Sequence, residues 1–441
     1  MKNKLNLTAI LIFFIIVFKS KAQELSIDAD IRPRLEYSHG FGNLIPSDTD
    51  AGIFVQQRSR LKFIYKTDKF SSHISVQDVS VWGDTPQISA IDGNNSFSLA
   101  QAWINLTLGK GWSTKLGRQV LSYDDQRILG GLDWAMQGRF HDAALIQYKN
   151  QNNLQFDVGF AFNQNGISRQ TTLFDPNNDS NARAVFDYKG MIYTWIHKDW
   201  QKISGSLLFV NNSYQNLDPT DGETPIDGTI HRQTFGTHIK VKPNNDFSLQ
   251  INIYGQTGDF TENINLSAYN ALLEIIYKPR NTIFAIGGEI LSGDNNGGSD
   301  GKIESFFPIF GTNHKFNGYM DYFYVGNHAN NVGLQDIYAK AIIKTGKQSN
   351  LLAKAHYFNA AENITGTSDK YLGTELDLVF TQQILPYATL KLGYSHMFEG
   401  DNMQILKGVT NPSGIQNWGW AMLVVQPNFL KWNPTKTVNT P

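Results

Sequence analysis

The stretch RFHDAALIQYKNQNNLQFDVGFAFN, residues 139–163, decides the fold. Its second half alternates. Gln155, Asp157, Gly159 and Asn163 share one parity, and Leu154, Phe156, Val158, Phe160 and Phe162 share the other. Successive side chains of a β-strand point to opposite faces, so this segment has one wet face and one apolar face. The run before it is a second strand candidate, joined to the first by a short polar turn.

The same pattern recurs along the chain. Strand candidates lie at 24–37, 53–66, 70–82, 97–108, 112–120, 139–149, 153–163, 185–197, 201–214, 229–242, 246–258, 268–278, 282–292, 332–344, 349–361, 371–382, 388–400 and 416–427. Every second link is tight, as in Thr67-Asp68-Lys69, Gly109-Lys110-Gly111, Pro243-Asn244-Asn245 and Pro279-Arg280-Asn281. The links between are long, and the longest runs from Gly293 to Asn331. Short turns at one end and long loops at the other are the pattern of an outer-membrane β-barrel. A soluble sandwich has no reason to sort its loops this way. The expected fold is therefore an all-β, transmembrane, antiparallel barrel of 18 strands, with both chain ends on one side. Segment 319–326 is assigned to the large outer loop, folded back over the mouth, because another strand would break the alternation.

The N-terminus reads as a secretory signal peptide. Lys2 and Lys4 precede ten apolar residues, Ala9 to Phe18, and Ser20-Lys21-Ala22 fits a small-x-small cleavage site. Residues 23–441 then form a single barrel domain. The apolar run is too short for a spanning helix, which needs about 20 residues. There are no cysteines, which excludes disulfides, a lipoprotein anchor and thiolate chemistry. The formal charge of -1 gives no preference between acidic and basic partners. Aromatic rings favour the headgroup interface, so Tyr65, Trp82, Trp103, Trp112, Tyr148, Trp195 and Trp200, all near strand ends, are expected in girdles.

In the first strand Ser26, Asp28, Asp30, Arg32, Arg34 and Glu36 alternate with Ile27, Ala29, Ile31, Pro33, Leu35 and Tyr37. The polar set is expected to face the lumen and the apolar set lipid. Pro33 cannot donate to a ladder, so a bulge is expected there. The third strand changes phase between Ile74, Val76 and Val79, Val81, which predicts a bulge at Gln77–Asp78.

Arginine is unevenly placed. Seven of 11 precede residue 140: Arg32, Arg34, Arg58, Arg60, Arg118, Arg127 and Arg139. The topology puts Arg32, Arg34, Arg58 and Arg60 at similar height on adjacent strands, with Lys62 on the same face. Guanidinium groups present paired donors that match carboxylates, and rings of Arg and Lys select anions in pores. Bracing of the wall is the competing role and is compatible with transport, because Asp28, Asp30 and Glu36 share the face and Asp125, Asp133 and Asp142 lie in or beside the outer loop between the fifth and sixth strands. In the second half only Lys240, Lys340, Lys354 and Lys391 offer lumenal cations.

Two outer loops stand out. The first carries Gly117-Arg118-Gln119, Asp124-Asp125-Gln126-Arg127 with Leu129-Gly130, Asp133-Trp134, and Arg139 with Asp142. Its charge density predicts folding into the mouth. The second carries Ser292-Gly293-Asp294, Phe306-Phe307 and Asn313-His314-Lys315-Phe316, with Gly318 and Asp321. Asp294 and Asp300 give it a faint calcium-loop character without an EF-hand pattern, so no metal is expected.

With the arginines of the first two strands, these runs resemble the alginate export family, porins through which anionic uronate polymers cross the outer membrane. The resemblance implies a monomeric 18-stranded barrel with an electropositive constriction. It makes Arg32, Arg34, Arg58, Arg60, Arg118, Arg127 and Arg139 the candidates for lining that constriction.

The function expected is passive diffusion of anionic oligo- or polysaccharides through an arginine-lined lumen. The alternative is a general or plugged barrel with a different anionic or small solute. A barrel lipase would need a serine beside His141, His238 or His356, and no such pairing is evident. No enzyme activity, cofactor or nucleic-acid partner is expected. The expected partners are outer-membrane lipid and an anionic saccharide, and docking of a periplasmic export partner on the short turns stays open.

Overall fold

The computed structural model describes residues 23–84, 97–163, 188–217, 225–294, 300–328 and 332–433. The signal-peptide expectation for residues 1–22 lies outside them. Twenty strands form one sheet. They are β1 (Glu24–His39), β2 (Gly52–Lys66), β3 (Phe70–Val81), β4 (Ser98–Gly109), β5 (Trp112–Gln119), β6 (His141–Lys149), β7 (Leu154–Phe162), β8 (Gly190–Asp199), β9 (Ile203–Leu217) and β10 (Pro225–Val241). They continue with β11 (Phe247–Thr261), β12 (Ile264–Tyr277), β13 (Thr282–Leu291), β14 (Lys302–Ile303), β15 (Leu334–Lys344), β16 (Ser349–Asn359), β17 (Tyr371–Leu385), β18 (Ala388–Glu399), β19 (Gln416–Val425) and β20 (Asn428–Trp432).

Two of these are accessory. β14 is a two-residue parallel addition beside Asn265 and Leu266 of β12. β20 carries the course of β19 past Pro427 and pairs with the start of β1. The other strands form a closed antiparallel barrel of 18, with β19 pairing back to β1. Closure matters in lipid, where an unpaired strand edge would leave backbone groups with no partner.

The alternation of faces holds. On β1, Asp30, Arg32, Arg34 and Glu36 are buried inward, whereas Ile31, Leu35 and Tyr37 are 40–47% exposed on the outer surface. Phe160, Phe162, Ile192, Phe209, Ile253 and Leu273 likewise face out. This outer apolar surface is what a bilayer covers.

Neither expected bulge forms. Pro33 pairs with Gln57 in an unbroken β1–β2 register. The β1–β19 ladder omits Arg32 and Pro33, with Ile31↔Val425 and Arg34↔Met422 in the same register on either side. A proline without an N–H leaves a gap in the ladder and does not force an extra residue. The seam is completed lower down, where the Ala29 amide donates to the Pro427 carbonyl (3.1 Å). In β3, Gln77 and Asp78 stay in step with Arg60 and Ser59. The irregularity is in β4, where Ser75 pairs with Gln101 and Val76 with Leu99, so Ala100 is the additional residue. Val79 remains on the lumenal side and packs on the interior apolar cluster. The apparent phase change arises because this part of the lumen is apolar.

The girdle expectation divides by parity. Trp112 packs on Tyr148 (ring centroids 4.8 Å apart) on the outer face near a short turn, and Trp82 and Trp200 are exposed. Trp195 instead turns inward and packs on Tyr123 (4.9 Å). Trp103 sits under the Lys115 ammonium (4.1 Å) on the parity of Gln101 and Asn105, also inward.

Four lumenal rings lie over glycines directly opposite them in the neighbouring strand: Tyr193 over Gly159, Tyr254 over Gly236, Tyr338 over Gly287 and Trp420 over Gly393. A Cβ at any of these glycines would collide with the ring. The missing side chain lets the ring lie flat against the wall, and the ring covers backbone the glycine would leave open.

Candidate functional site

Two long-loop segments fold into the lumen and pack on each other. The first is residues 120–140, between β5 and β6. The second is residues 302–328, between β13 and β15. The Gly130 amide donates to the Phe310 carbonyl (2.8 Å), and the Thr312 amide donates to the Gln126 carbonyl (2.9 Å). Arg139 Nη1 donates to the Gly311 carbonyl (2.7 Å). Burial pulls the Arg139 pKa down to about 10. Leu121, Leu129, Met136, Phe307, Phe310, Met320 and Tyr322 of these segments join the wall residues Tyr193, Leu208, Val210 and Trp418 in one apolar core. Met320 and Tyr322 are fully buried. The lumen of a barrel this wide is ordinarily wet. Here these segments fill much of it with a packed apolar core. Segment 319–326 belongs to this inward layer, as its assignment to the outer loop requires.

The arginines of β1 and β2 grip the first segment. Arg32 Nη1 donates to the Asp133 carbonyl oxygen (2.9 Å), and both Arg32 and Arg58 contact the Asp133 carboxylate (3.3 and 3.1 Å). Arg58 also donates to Asp30 (2.7 Å) and to the Met136 carbonyl (3.4 Å). Arg34 donates to Glu36 (2.8 Å) and to the Trp134 carbonyl (3.2 Å), and its guanidinium lies 4.5 Å over the Trp134 ring. That ring also stacks on His314 at 4.6 Å. Arg60 donates to Gln77 and to the Gln137 carbonyl (3.4 Å), and Lys62 stands 3.8 Å from Asp30. The four guanidiniums are buried, yet the Asp133 side chain held by Arg32 and Arg58 is 69% exposed. Asp28 stands apart from this array and accepts from Ser26 and Asn428.

The remaining arginines have other places. Arg118 pairs with Asp142 (3.1 Å), and both lie on the parity of Leu116 and Ile146, the outward face. Phe140 links them to the array of β1 and β2, its ring centroid lying 5.9 Å from the Arg118 guanidinium and 5.4 Å from that of Arg60. Arg127 crosses the lumen to Glu289 on β13 (2.8 Å) and donates to Asn317 (2.9 Å). Asp125 accepts from Asn252 (2.7 Å). Tyr123 donates to Asp157 (2.9 Å) and meets the Tyr193 hydroxyl (2.8 Å). Burial, together with those two neighbours, holds the Tyr123 pKa far above the ordinary value.

The wall formed by β12 to β17 is acidic, a feature the sequence reading does not single out. Glu274, Glu289, Asp336, Glu375 and Asp377 are buried on the lumenal faces of β12, β13, β15 and β17. Glu375 accepts from the Met320 amide (2.8 Å), anchoring the second segment. Their signal was available as carboxylates on the inward parity of late strands. Each looked like an isolated charge without the segments that pair with it.

The helix Asp401–Lys407 caps this side of the mouth. Lys407 donates to the carbonyls of Tyr322 (2.8 Å) and Asn327 (2.9 Å). Burial pushes its pKa down to about 7.

His141 pairs with Tyr188, His238 with Asn252 and His356 with Asp336. Asp294 accepts from the Glu304 amide and Asp300 from the Lys302 amide, and among the described residues no three potential ligands cluster to hold a metal.

The alginate export family model matches residues 23–413. No curated protein matches the chain. Among solved structures, the chain is similar to Acinetobacter baumannii OccAB4 with a TM-score of 0.62 at 10% identity, covering 93% of this chain and 99% of that one. It is similar to the outer membrane protein OpdK from Pseudomonas aeruginosa (0.57, 9%, covering 92% and 99%). It is also similar to Pseudomonas aeruginosa OccK2 (OpdF) in complex with glucuronate (0.58, 10%, covering 92% and 98%). At such identities the likeness speaks for the fold alone.

Proposed function

This chain belongs to the alginate export family, and from that premise we propose that it is an outer-membrane channel through which anionic oligo- or polysaccharides diffuse down their gradient. The observation that carries the reading is the grip on Asp133. Two buried guanidiniums, from Arg32 and Arg58, converge on one carboxylate that is itself open to water. A site that holds an exposed carboxylate of its own chain has the chemistry to hold a uronate carboxylate in its place. In the structure at hand the lumen is narrowed, with residues 120–140 clasped to β1 and β2. Passage then needs that segment to yield, leaving Arg32, Arg34, Arg58 and Arg60 to face the solute. The glucuronate complex of the fold neighbour OccK2 is in keeping with an acidic sugar in such a barrel.

The test is single-channel recording in a planar bilayer with oligouronate and a neutral oligosaccharide of equal length. The reading expects block by oligouronate alone. Equal block by both would remove charge from the mechanism. A second reading, a plugged barrel, is favoured by the fully buried Met320 and Tyr322 inside the lumen. It expects no resolvable current.

A further inference from the structure

The two ends of the barrel carry opposite charge. Residues 66–69, 109–111, 149–153, 198–202, 242–246, 278–281, 344–348 and 386–387 turn at or beside the short-turn end, and Glu24 and residues 426–432 complete that rim. Together they hold twelve Lys and Arg against four Asp and Glu. The long-loop end reverses the balance. Outside the two inward segments, the described residues 40–51, 82–84, 188–189, 225–229, 259–263, 360–370 and 400–415 hold nine Asp and Glu against three Lys. The formal charge of the whole chain is only -1, so the contrast is one of placement. Short turns face the periplasm in an outer-membrane barrel, which makes the basic rim the periplasmic one.

Five of these lysines, Lys66, Lys149, Lys242, Lys278 and Lys344, stand at or just past the ends of β2, β6, β10, β12 and β15. Each keeps the parity of the inward residues of its strand, as Lys66 does with Arg58 and Arg60, Lys149 with Leu145, and Lys344 with Asp336. The ladder continues past the strand at two of them: the Lys242 amide donates to the Lys202 carbonyl and the Lys278 amide to the Asp246 carbonyl, both at 2.7 Å. The charges of Lys242 and Lys278 reach Lys240, on the inward parity of β10. All five are exposed to solvent, and among the described residues none of them makes an ion pair. Glu24 stands across the ladder from Lys66 but pairs with Lys431 (3.2 Å). The five therefore ring the lumenal mouth, spaced around the barrel, with their charge uncompensated.

One exposed ammonium does little, because salt at about 0.1 M screens it beyond about 10 Å. A mouth lined by one sign of charge focuses the field and raises the rate at which an opposite charge is captured. A lipid surface would call for lysines on the outward parity, and a docked protein for lysines gathered on one side. These five encircle the pore and keep the inward parity, so what meets them is what enters the lumen. We propose that this lysine ring is the capture surface for a polyanionic saccharide at the periplasmic mouth, and that the acidic outer mouth repels the same solute. The ring sets the side on which the polyanion is collected, and the concentration gradient still sets the direction of net flow. This inference rests on the reading of the barrel as a channel for anionic saccharides, and it names the side from which that channel is loaded.

The test is the rate at which oligouronate blocks single channels when added to one chamber or the other of a phosphatidylcholine bilayer. The chain has no cysteine, so Asp50→Cys, exposed in the first long loop, reports orientation through a membrane-impermeant maleimide. At about 0.1 M KCl the association rate should be about tenfold higher from the short-turn side, the lower end of electrostatic steering. The gap should close at about 1 M KCl, where charges act over only about 3 Å. Replacing all five lysines by glutamine should remove the gap and leave the dissociation rate unchanged, and replacing them by arginine should keep it. Equal rates from the two sides of the wild type, or a gap that survives the glutamine variant, would overturn the ring. So would unaltered capture by the glutamine variant together with weaker binding to phosphatidylglycerol vesicles, which would give the lysines to lipid headgroups. The two ideas fail separately. Block at equal rates from both sides would keep the channel reading and remove the ring. No current at all, with oligouronate binding to the detergent-solubilised barrel that the glutamine variant loses, would keep the ring and remove the channel.

Discussion

The two charged walls of the lumen are built on opposite logic. On β1 and β2 the cations are buried and most meet a carboxylate: Arg58 meets Asp30 at 2.7 Å and Arg34 meets Glu36 at 2.8 Å, while Arg60 rests on Gln77 and the Gln137 carbonyl. On β12 to β17 the carboxylates are the buried groups and outnumber the cations beside them: Glu274, Glu289, Asp336, Glu375 and Asp377 share the wall with Lys340 and Lys354. The first inward segment bridges the two. It offers Asp133 to the basic wall and, six residues earlier in the chain, Arg127 to the acidic one. The lesson is that the number of cations on a wall does not measure how much charge it has to spare. What counts is the charge left after the chain has paired its own groups.

The sharpest way to break this contrast is Arg58→Ala. It removes the shortest of Asp30's three ion pairs, leaving Arg32 at 3.3 Å and Lys62 at 3.8 Å, and should cost about 3 kcal/mol, the low end for removing one partner of a buried pair. Guanidinium unfolding of the refolded barrel measures it, and a cost under 1 kcal/mol would mean the array is looser than its geometry. Next comes Gly287→Ala. Its methyl would strike the Tyr338 ring, which lies under the Lys354 ammonium and donates to Glu274. A cost of about 1–3 kcal/mol is expected from overpacking. Gly83→Ala, with nothing near its Cβ but a positive φ, is the control for backbone effects alone.

A smaller effect is expected from pH. Burial lowers the Lys407 pKa from the ordinary lysine value of 10.5 to about 7 in the folded protein. Between those values the unfolded chain holds a proton that the folded chain has released, so stability should rise with pH. The slope is at most about 1.4 kcal/mol per pH unit for one proton. Below about pH 7 the cost of burying the charge is present in full. Lys407→Met should flatten that part of the pH–stability profile, and an unaltered slope would assign the titration elsewhere. Smallest of all, Lys354→Met should change stability by no more than about 1 kcal/mol, since it relieves the burial of the ammonium and at the same time removes its attraction to Asp336 and Asp377. A loss comparable to that of Arg58→Ala would erase the difference between the walls.

The wall itself was legible in the sequence, because period-2 alternation and paired turn lengths are local properties. All 18 wall strands lie where the alternation puts them, most ends agreeing to within a few residues. What escaped depends on distant chain. Val79 looked out of phase because its apolar neighbours come from the inward segments. Trp195 looked like a girdle residue because Tyr123, against which it packs, is more than seventy positions away in the chain. The break at Pro427 and the return of β20 to β1 belong to the closing seam, which joins the two ends of the sequence. The arginine array was legible as charge on one face. Its clasp on Asp133, Trp134 and Met136 was not, because nothing local says which loop enters the lumen.

The most direct test of the account is the reversal potential of the wild type and of Asp133→Asn in a planar bilayer under a KCl gradient. Asp133→Asn removes the carboxylate that Arg32 and Arg58 hold and leaves the wall intact. The account predicts an anion-selective potential in the wild type, and a larger current with stronger anion selectivity in the variant. Cation selectivity in the wild type, or a variant identical to it in both current and potential, would contradict the claim that the arginine clasp on Asp133 guards an anion path.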